Sequence, residues 1–493
     1  MISRSHSRKR LAAPGGRAAP GRAGSQRCGG SPGTTRHKPQ RTSAHLVSQI
    51  APQDFAAETL RIGDLNGDGA PDLLFVQSVF GTREITCLTA TTIDGDVLWQ
   101  NGAPDPNNAR IYSDLPVQVC DWDGDGVNEV LWVEQAFYAD PVVWDCFTGR
   151  EVTAPPARPG KFKQGRGWVR EHARRYEGHA VLHVLDSRTG KKKGSIPLPA
   201  PADDSFLLAD LTGGGRRADL VVKDRYWNMW GVSHEGAVLW HYAGSVGHFP
   251  AIGDVDGDGR DEVFIGFALI DHDGKVLFQR DAGAHHQDAA VVAQLPDGAW
   301  RLLFGNHGLH CLTVDGTELW HHPLAEAQHI VAGRFRADSA LQFMAIDRGQ
   351  PRPGGQRAPA VLLLFDADGR EIWRQRQPPG SWAAAIVPIA WSGPAQPAGV
   401  LVYSRGDGQP AAIVDGAGKA IALLPLPPAP PANRSDWLTQ LYGPAGYYAL
   451  AADVWGESRE EAIFFGPAGT RIYANARANG VPTLYNETLY PGM

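Results

Sequence analysis

Hydrophobic positions along this chain come in short bursts, and the same kind of acidic turn introduces one burst after another. GDLNGDGAPDLLFV (63–76), CDWDGDGVNEVLWV (120–133) and GDVDGDGRDEVFIG (253–266) share the outline D-x-[DN]-x-D-G-x-x-[DE], followed by an apolar or alternating run. Weaker copies keep the outline at ADLTGGGRRADLVV (209–222), GRFRADSALQFMAI (333–346) and ADVWGESREEAIFF (452–465). Between them a second unit recurs, a turn rich in Asp and Gly leading to a large apolar residue: IDGDVLW (93–99), SHEGAVLW (233–240), DHDGKVLF (271–278), VDGTELW (314–320) and DADGREIW (366–373). A D-G turn between short β-rich runs is a hairpin signal. No apolar pattern with helical period persists over the roughly 10 residues a helix needs.

Each module thus reads as acidic loop, strand, hairpin, strand. Asp210 and Asp254 stand 44 residues apart, and a period of about 40–50 residues with four strands is that of a propeller blade. The predicted fold is all-β: a single seven- or eight-bladed β-propeller over residues 49–493, carrying calcium-binding DxDGDGxxD loops. A basic, turn-rich stretch near 150–180 and the proline-rich LLPLPPAPPANRSDW (423–437) read as insertions, the second extended and polyproline-like. Trp99, Trp240, Trp320 and Trp373 recur at one hairpin position, which favours packing between blades over sugar stacking.

Composition adds support and some exclusions. Glycine (58), proline (37) and tryptophan (15) are abundant in the 493 residues, as many turns and short strands require. No run approaches the ~18 apolar residues of a membrane helix. The five cysteines (28, 87, 120, 146, 311) include no C-x-x-C pair, which argues against a thiolate zinc site and a disulfide-dense scaffold. The net charge of −6 is unevenly divided: residues 1–53 hold ten Lys/Arg and no acid, leaving 37 basic against 53 acidic residues, a net of −16, in the rest. Such a body repels phosphate, so no nucleic-acid partner is expected for it. Residues 1–48 read as a disordered basic leader without the apolar core of a signal peptide. A transit peptide, a nucleic-acid arm or a start codon set too far upstream would each look this way, the last being the plainest reading.

The loop spacing carries chemistry. Carboxylates at positions 1, 3 and 5 converge, Gly at position 6 allows the turn, and the acid at position 9 closes an oxygen shell suited to Ca²⁺. An EF-hand is excluded because strands, not helices, follow. Complete sets are Asp64, Asn66, Asp68 and Asp72; Asp121, Asp123, Asp125 and Glu129; and Asp254, Asp256, Asp258 and Glu262. The 210–219 loop has Thr212 and Gly214 where acids belong, so no metal is expected there, and Trp455 spoils the 453–461 copy. In the complete loops the metal is read as structural. Loops of this kind favour an extracytoplasmic location, although no signal peptide is visible.

These loops resemble FG-GAP/VCBS repeats. A narrower likeness covers about residues 205–493: VKDRYWNMWG (222–231), GHFPAIGDVDGDGRDEVFIGFALIDHDGK (247–275), AHHQDAA (284–290) and AADVWGESREEAIFFGPAGTRIYANA (451–476) follow the order seen in rhamnogalacturonan lyases of polysaccharide lyase family 11. That resemblance implies an eight-bladed, calcium-dependent enzyme that cleaves rhamnogalacturonan by β-elimination. The family's N-terminal β-sandwich has no counterpart here, its GHGDA form appears as Ala284-His285-His286-Gln287-Asp288-Ala289, and Glu457-Ser458 stands where Asp-Trp is usual. By resemblance, His248, His285 or His286 and Asp288 are candidate calcium ligands or acid/base groups. Lys223 or Tyr226 would be the base and Arg225 the partner of the substrate carboxylate. VKDRYWNMW can equally be a blade strand packing alternate residues between sheets, and His321, His322 and His329 read as ordinary loop histidines. The expected function is a calcium-dependent polysaccharide lyase acting on an acidic glycan as a monomer, with a non-catalytic glycan-binding or adhesive propeller as the alternative. A plain propeller scaffold is a third reading.

Overall fold

The computed structural model describes residues 44–475, except segments 81–82, 112–113, 136–141, 146–149, 153–161, 165–166, 176–179, 205, 225–227, 282–285, 339–340, 349–357, 379–383, 406–410, 429–445 and 457. The proline-rich 423–437 stretch falls mostly outside these residues. Eight four-stranded antiparallel sheets succeed one another along the chain as blades 1 to 8. Blades 1 to 7 occupy residues 59–102, 117–197, 207–243, 251–279, 289–322, 327–376 and 384–424. Blade 8 takes three strands from 448–475 and its outermost strand from Ala44–Ile50, which pairs antiparallel with Thr470–Asn475. The ring is therefore an eight-bladed propeller, and it draws on residues before 49 to close.

Burial follows from this stacking. Second strands, such as Asp72–Ser78, Asp219–Lys223 and Glu461–Phe465, are buried at every residue, because each blade is covered on both faces by its neighbours. Outermost strands, such as Val238–Ala243, expose alternate residues. The apolar clusters lie between blades: Leu131, Leu182 and Val222 join blades 2 and 3, and Phe264, Leu302 and Phe304 join blades 4 and 5. Leu450 and Phe465 of blade 8 share a cluster with Leu60 and Leu74 of blade 1. Among the described residues the helical content is one 3₁₀ turn, Pro106–Asn108.

Among the described residues of the 150–180 stretch, Arg150–Val152, Phe162–Gln164 and Gly167–Arg175 join Val142–Asp145 in a separate four-stranded sheet, inserted in the chain between the second and third strands of blade 2. His321 and His322 lie on the outermost strand of blade 5, and His329 on the first strand of blade 6, rather than on loops. Cys87 and Cys311 are buried free thiols.

Each outermost strand carries a one-residue bulge at one equivalent place, where its register against the third strand slips. The extra residue is Leu98, Leu239, Leu277, Leu319, Ile372 and Ile421 in blades 1 and 3 to 7, and Val47 in blade 8. In blade 2 it is Lys193.

The repeated tryptophans follow that bulge and reach into the next blade. The indole N–H of Trp240 donates to the His272 carbonyl (2.8 Å), and that of Trp373 to the Gly416 carbonyl (3.0 Å). Gly274 has φ of +88°, and a Cβ there would lie 2.4 Å from Trp240, so turn and indole fit only without a side chain. Trp240→Ala should cost about 3–5 kcal/mol, read as a lowered urea midpoint for the full chain.

Candidate functional site

Strand direction places the chemistry at two opposite ends of the ring. The D-x-D-x-D-G loops join the first strand of a blade to its second. The segments before each first strand and after each second strand lie at the other end. Asp219 and Lys223 mark the two ends of one strand, about 13 Å apart at ~3.3 Å per residue. The acidic loops and the histidines grouped with Lys223 are therefore on opposite faces.

On the loop face, the first Asp of each loop accepts backbone N–H bonds from positions 4 and 6: Asp64 from Gly67 and Gly69 (2.6 and 3.0 Å), Asp121 from Gly124 and Gly126 (2.8 and 3.1 Å), and Asp254 from Gly257 and Gly259 (2.7 and 3.1 Å). The position-9 acid accepts the N–H at position 2: Leu65 to Asp72, Trp122 to Glu129 and Val255 to Glu262 (2.9, 2.9 and 2.7 Å). The imperfect copies do the same with Asp219, Glu461 and even the neutral Gln342. Position 9 thus braces the turn whatever else it does.

For a cation, the three complete loops differ. Asp254, Asp256 and Glu262 bring oxygens within 4.8 Å of one another. Glu262 is 1% exposed, its Oε1 has no hydrogen-bond partner, and burial, with the nearby Asp256, Asp271 and Asp254 charges, raises its pKa to about 8. This buried oxygen, facing a hard oxygen cluster, fits Ca²⁺. Asp121, Asp123 and Glu129 also converge, but the Lys193 ammonium already contacts Asp123 (2.8 Å) and Glu129 (2.6 Å). Asp125 hydrogen-bonds the loop backbone through the Val127 N–H (2.8 Å). In the first loop Asn66 donates to Asp68 (3.0 Å), and burial first, then the Asp68 and Asp64 charges, raise the Asp72 pKa to about 6. Asp258 accepts the Arg260 N–H (2.8 Å).

On the opposite face a buried ionic group spans blades 1 and 3 to 5. Asp204, fully buried and held at φ +59°, accepts from His248 Nδ1 (2.9 Å) and lies 3.5 Å from Lys223 Nζ and 3.9 Å from Arg83 Nη2. Arg83 also pairs with Asp203. His248 Nε2 points toward Asp288 (3.8 Å), which lies 3.2 Å from His286 Nε2, and the two rings meet edge-on at 5.1 Å. His248, His286 and Asp288 thereby offer three convergent ligand atoms. A carboxylate orienting one imidazole while its other nitrogen faces inward is the usual support of a metal-bound histidine. Asn306 donates to the His286 carbonyl, and the Gln287 amide to the Phe249 carbonyl (2.9 Å), which fixes the 286–288 turn. Further round, Arg348 and Arg405 are buried beside His329, whose pKa falls to about 3 through burial first and then the Arg348 charge.

Of the residues expected from sequence, Lys223, His248, His286 and Asp288 come together here, whereas Arg225, Tyr226 and His285 lie outside the described residues. Asp203, Asp204 and Arg83 were not expected. The pair of aspartates in APADDSF (200–206) is the sequence signal by which Asp203 and Asp204 could have been found.

Fold and site together define an eight-bladed propeller with a buried ionic cluster on one face and acidic loops on the other. It resembles the rhamnogalacturonan lyases of family 11. The model of the rhamnogalacturonan lyase family 11 C-terminal domain matches residues 221–332, a stretch holding Lys223, His248, His286 and Asp288. The rhamnogalacturonan endolyase YesW of Bacillus subtilis (strain 168) is 24% identical over 360 residues, 64% of this chain and 54% of YesW. The exolyase YesX of the same organism is 25% identical over 286 residues, 50% of this chain and 43% of YesX. The chain thus spans about half the length of the curated relatives it matches. In structure, it superposes on exotype rhamnogalacturonan lyase YesX with a TM-score of 0.56 at 21% identity, covering 87% of this chain and 74% of YesX. For a Bacillus licheniformis rhamnogalacturonan lyase the TM-score is 0.55 at 20% identity, over 92% and 78%. Both likenesses show the fold.

Proposed function

We propose that this protein is a calcium-dependent polysaccharide lyase that cleaves a rhamnogalacturonan-like glycan by β-elimination at a uronate. The observation that carries the reading is the convergence of His248, His286 and Asp288 beside Lys223, which shares the buried Asp204 with His248; all four lie in the segment matched by the family model. In the reaction a base removes the proton at C5, the C4–O bond breaks, a C4=C5 double bond forms, and the departing oxygen takes a proton. A divalent cation held by His248, His286 and Asp288 would neutralise the uronate carboxylate and acidify the C5 proton. Imidazole is a borderline ligand for calcium, so substrate oxygens would complete that shell. Lys223, 3.5 Å from Asp204, would as an ammonium stabilise the developing negative charge. By resemblance, Tyr226 or, as a neutral amine, Lys223 is the candidate base, and Arg225 a partner for the carboxylate. A second, structural calcium fits the 254–262 loop, on the face away from the chemistry.

Purified protein incubated with rhamnogalacturonan and other uronate polymers should raise absorbance near ~235 nm, the band of the conjugated unsaturated uronate. His248→Ala should lower the rate by about 10²-fold or more, and chelator should abolish it. Glycan retention with no absorbance change across the whole panel would leave a binding propeller and end the lyase reading.

A further inference from the structure

The three complete acidic loops share one motif, yet among the described residues the second alone has an ammonium on its carboxylates, whereas the third has the His272 ring 3.5 Å from Asp258. The second loop's blade is the one in which the aliphatic bulge residue of the outermost strand is replaced, by Lys193. From that position the ammonium reaches Asp123 Oδ2 at 2.8 Å and Glu129 Oε1 at 2.6 Å, two of the three oxygens that converge there. Glu129 is 1% exposed, so its charge needs a counterion. On the loop's other side Arg216, from blade 3, donates to the backbone carbonyls of Asp121 (3.2 Å) and Trp122. Two of the three carboxylates that would converge on a metal are thus already held by a protein cation, and Arg216 adds a second positive charge beside the loop. In the 254–262 loop the bulge residue is Leu277, no ion pair reaches Asp254, Asp256 or Glu262 among the described residues, and one oxygen of Glu262 is unpartnered.

We infer that the 121–129 loop carries its own cation: the Lys193 ammonium occupies the position that calcium would take, and blade 2 is braced without metal. The hydrogen bond from Lys193 holds the Asp123 carboxyl below its usual range, as a fixed counterion should. The trade is chemically reasonable. An ammonium is a compact charge with three donors and requires no supply from solution, whereas a metal braces only when present. This inference is independent of whether the chain cleaves glycan.

Two measurements on the full chain test it. Calcium bound per chain, measured after equilibrium dialysis, should rise by one in Lys193→Leu, which restores the side-chain type of the other blades. That variant should melt below the parent in chelator and recover in millimolar calcium. In the unsubstituted protein, mass-spectrometric mapping of amine acylation should find Lys193 equally protected in calcium and in chelator. Equal calcium content in parent and variant would overturn the inference. So would calcium-induced labelling of Lys193, which would mean that metal displaces it. The acylation result stands even where Lys193→Leu fails to fold.

Discussion

In chelator, the protein should lose stability as pH rises from about 4.5 to about 8, and saturating calcium should remove that loss. The group responsible is Glu262, whose ordinary pKa of 4.5 is raised to about 8. Between those values the native state keeps a proton that the unfolded chain has released. Native protein therefore binds more protons, and stability falls with rising pH. The slope from one such group is at most about 1.4 kcal/mol per pH unit. Calcium in the 254–262 loop would favour the ionised carboxylate and compete with the proton, flattening the curve. Asp72, raised to about 6, adds a smaller loss of the same sign between about 3.8 and 6. Glu262→Gln keeps the Val255 N–H acceptor but cannot ionise, so at pH 8 in chelator it should melt above the parent and respond little to calcium. Melting curves across pH, with and without metal, decide the matter. Coincident curves for parent and variant would remove Glu262 from this role.

Asp204→Ala should be the most damaging single substitution on the opposite face. The carboxylate is fully buried among Arg83, Lys223 and His248, and deleting it leaves buried charge unbalanced, at a cost of about 3–5 kcal/mol. Asp204→Asn separates folding from function. The amide fills the space and can still accept a hydrogen bond, but it no longer neutralises the cations or fixes His248 by charge. Weaker divalent-cation binding at His248, His286 and Asp288, by about 10–100-fold, should accompany a moderate loss of stability. Titration calorimetry with calcium and a melting curve on the same sample distinguish the two effects. Unchanged metal affinity in Asp204→Asn would show that Asp204 serves the fold alone.

The blades were readable because their punctuation repeats. An acidic turn before an apolar run, and an Asp-Gly turn before Trp or Phe, set strand direction locally. The closing strand Ala44–Ile50 was not readable, since AHLVSQI lacks an acidic loop and its partner Thr470–Asn475 lies more than four hundred residues away. Lys223, His248, His286 and Asp288 were found by family likeness. Asp204, which holds Lys223 and His248, was missed because it lies before a first strand, outside the repeated motif. The loops were legible in motif but not in surroundings: three alike acidic turns are faced by different side chains, such as Lys193, 64 positions beyond Glu129. A side chain's count of carboxylates is local, but its counterion is tertiary.

The seam at Ala44–Ile50 has a consequence for synthesis. That strand leaves the ribosome early, yet its hydrogen-bonding partner Thr470–Asn475 comes more than four hundred residues later. At roughly 5–20 residues per second, it waits tens of seconds with an unpaired edge. Until then blade 8 does not exist, and the flank of blade 1 that packs on Leu450 and Phe465 stays open to other nascent chains. That open flank is exposed apolar surface for as long as the rest of the ring is being made, the interval in which association between nascent chains competes with closure.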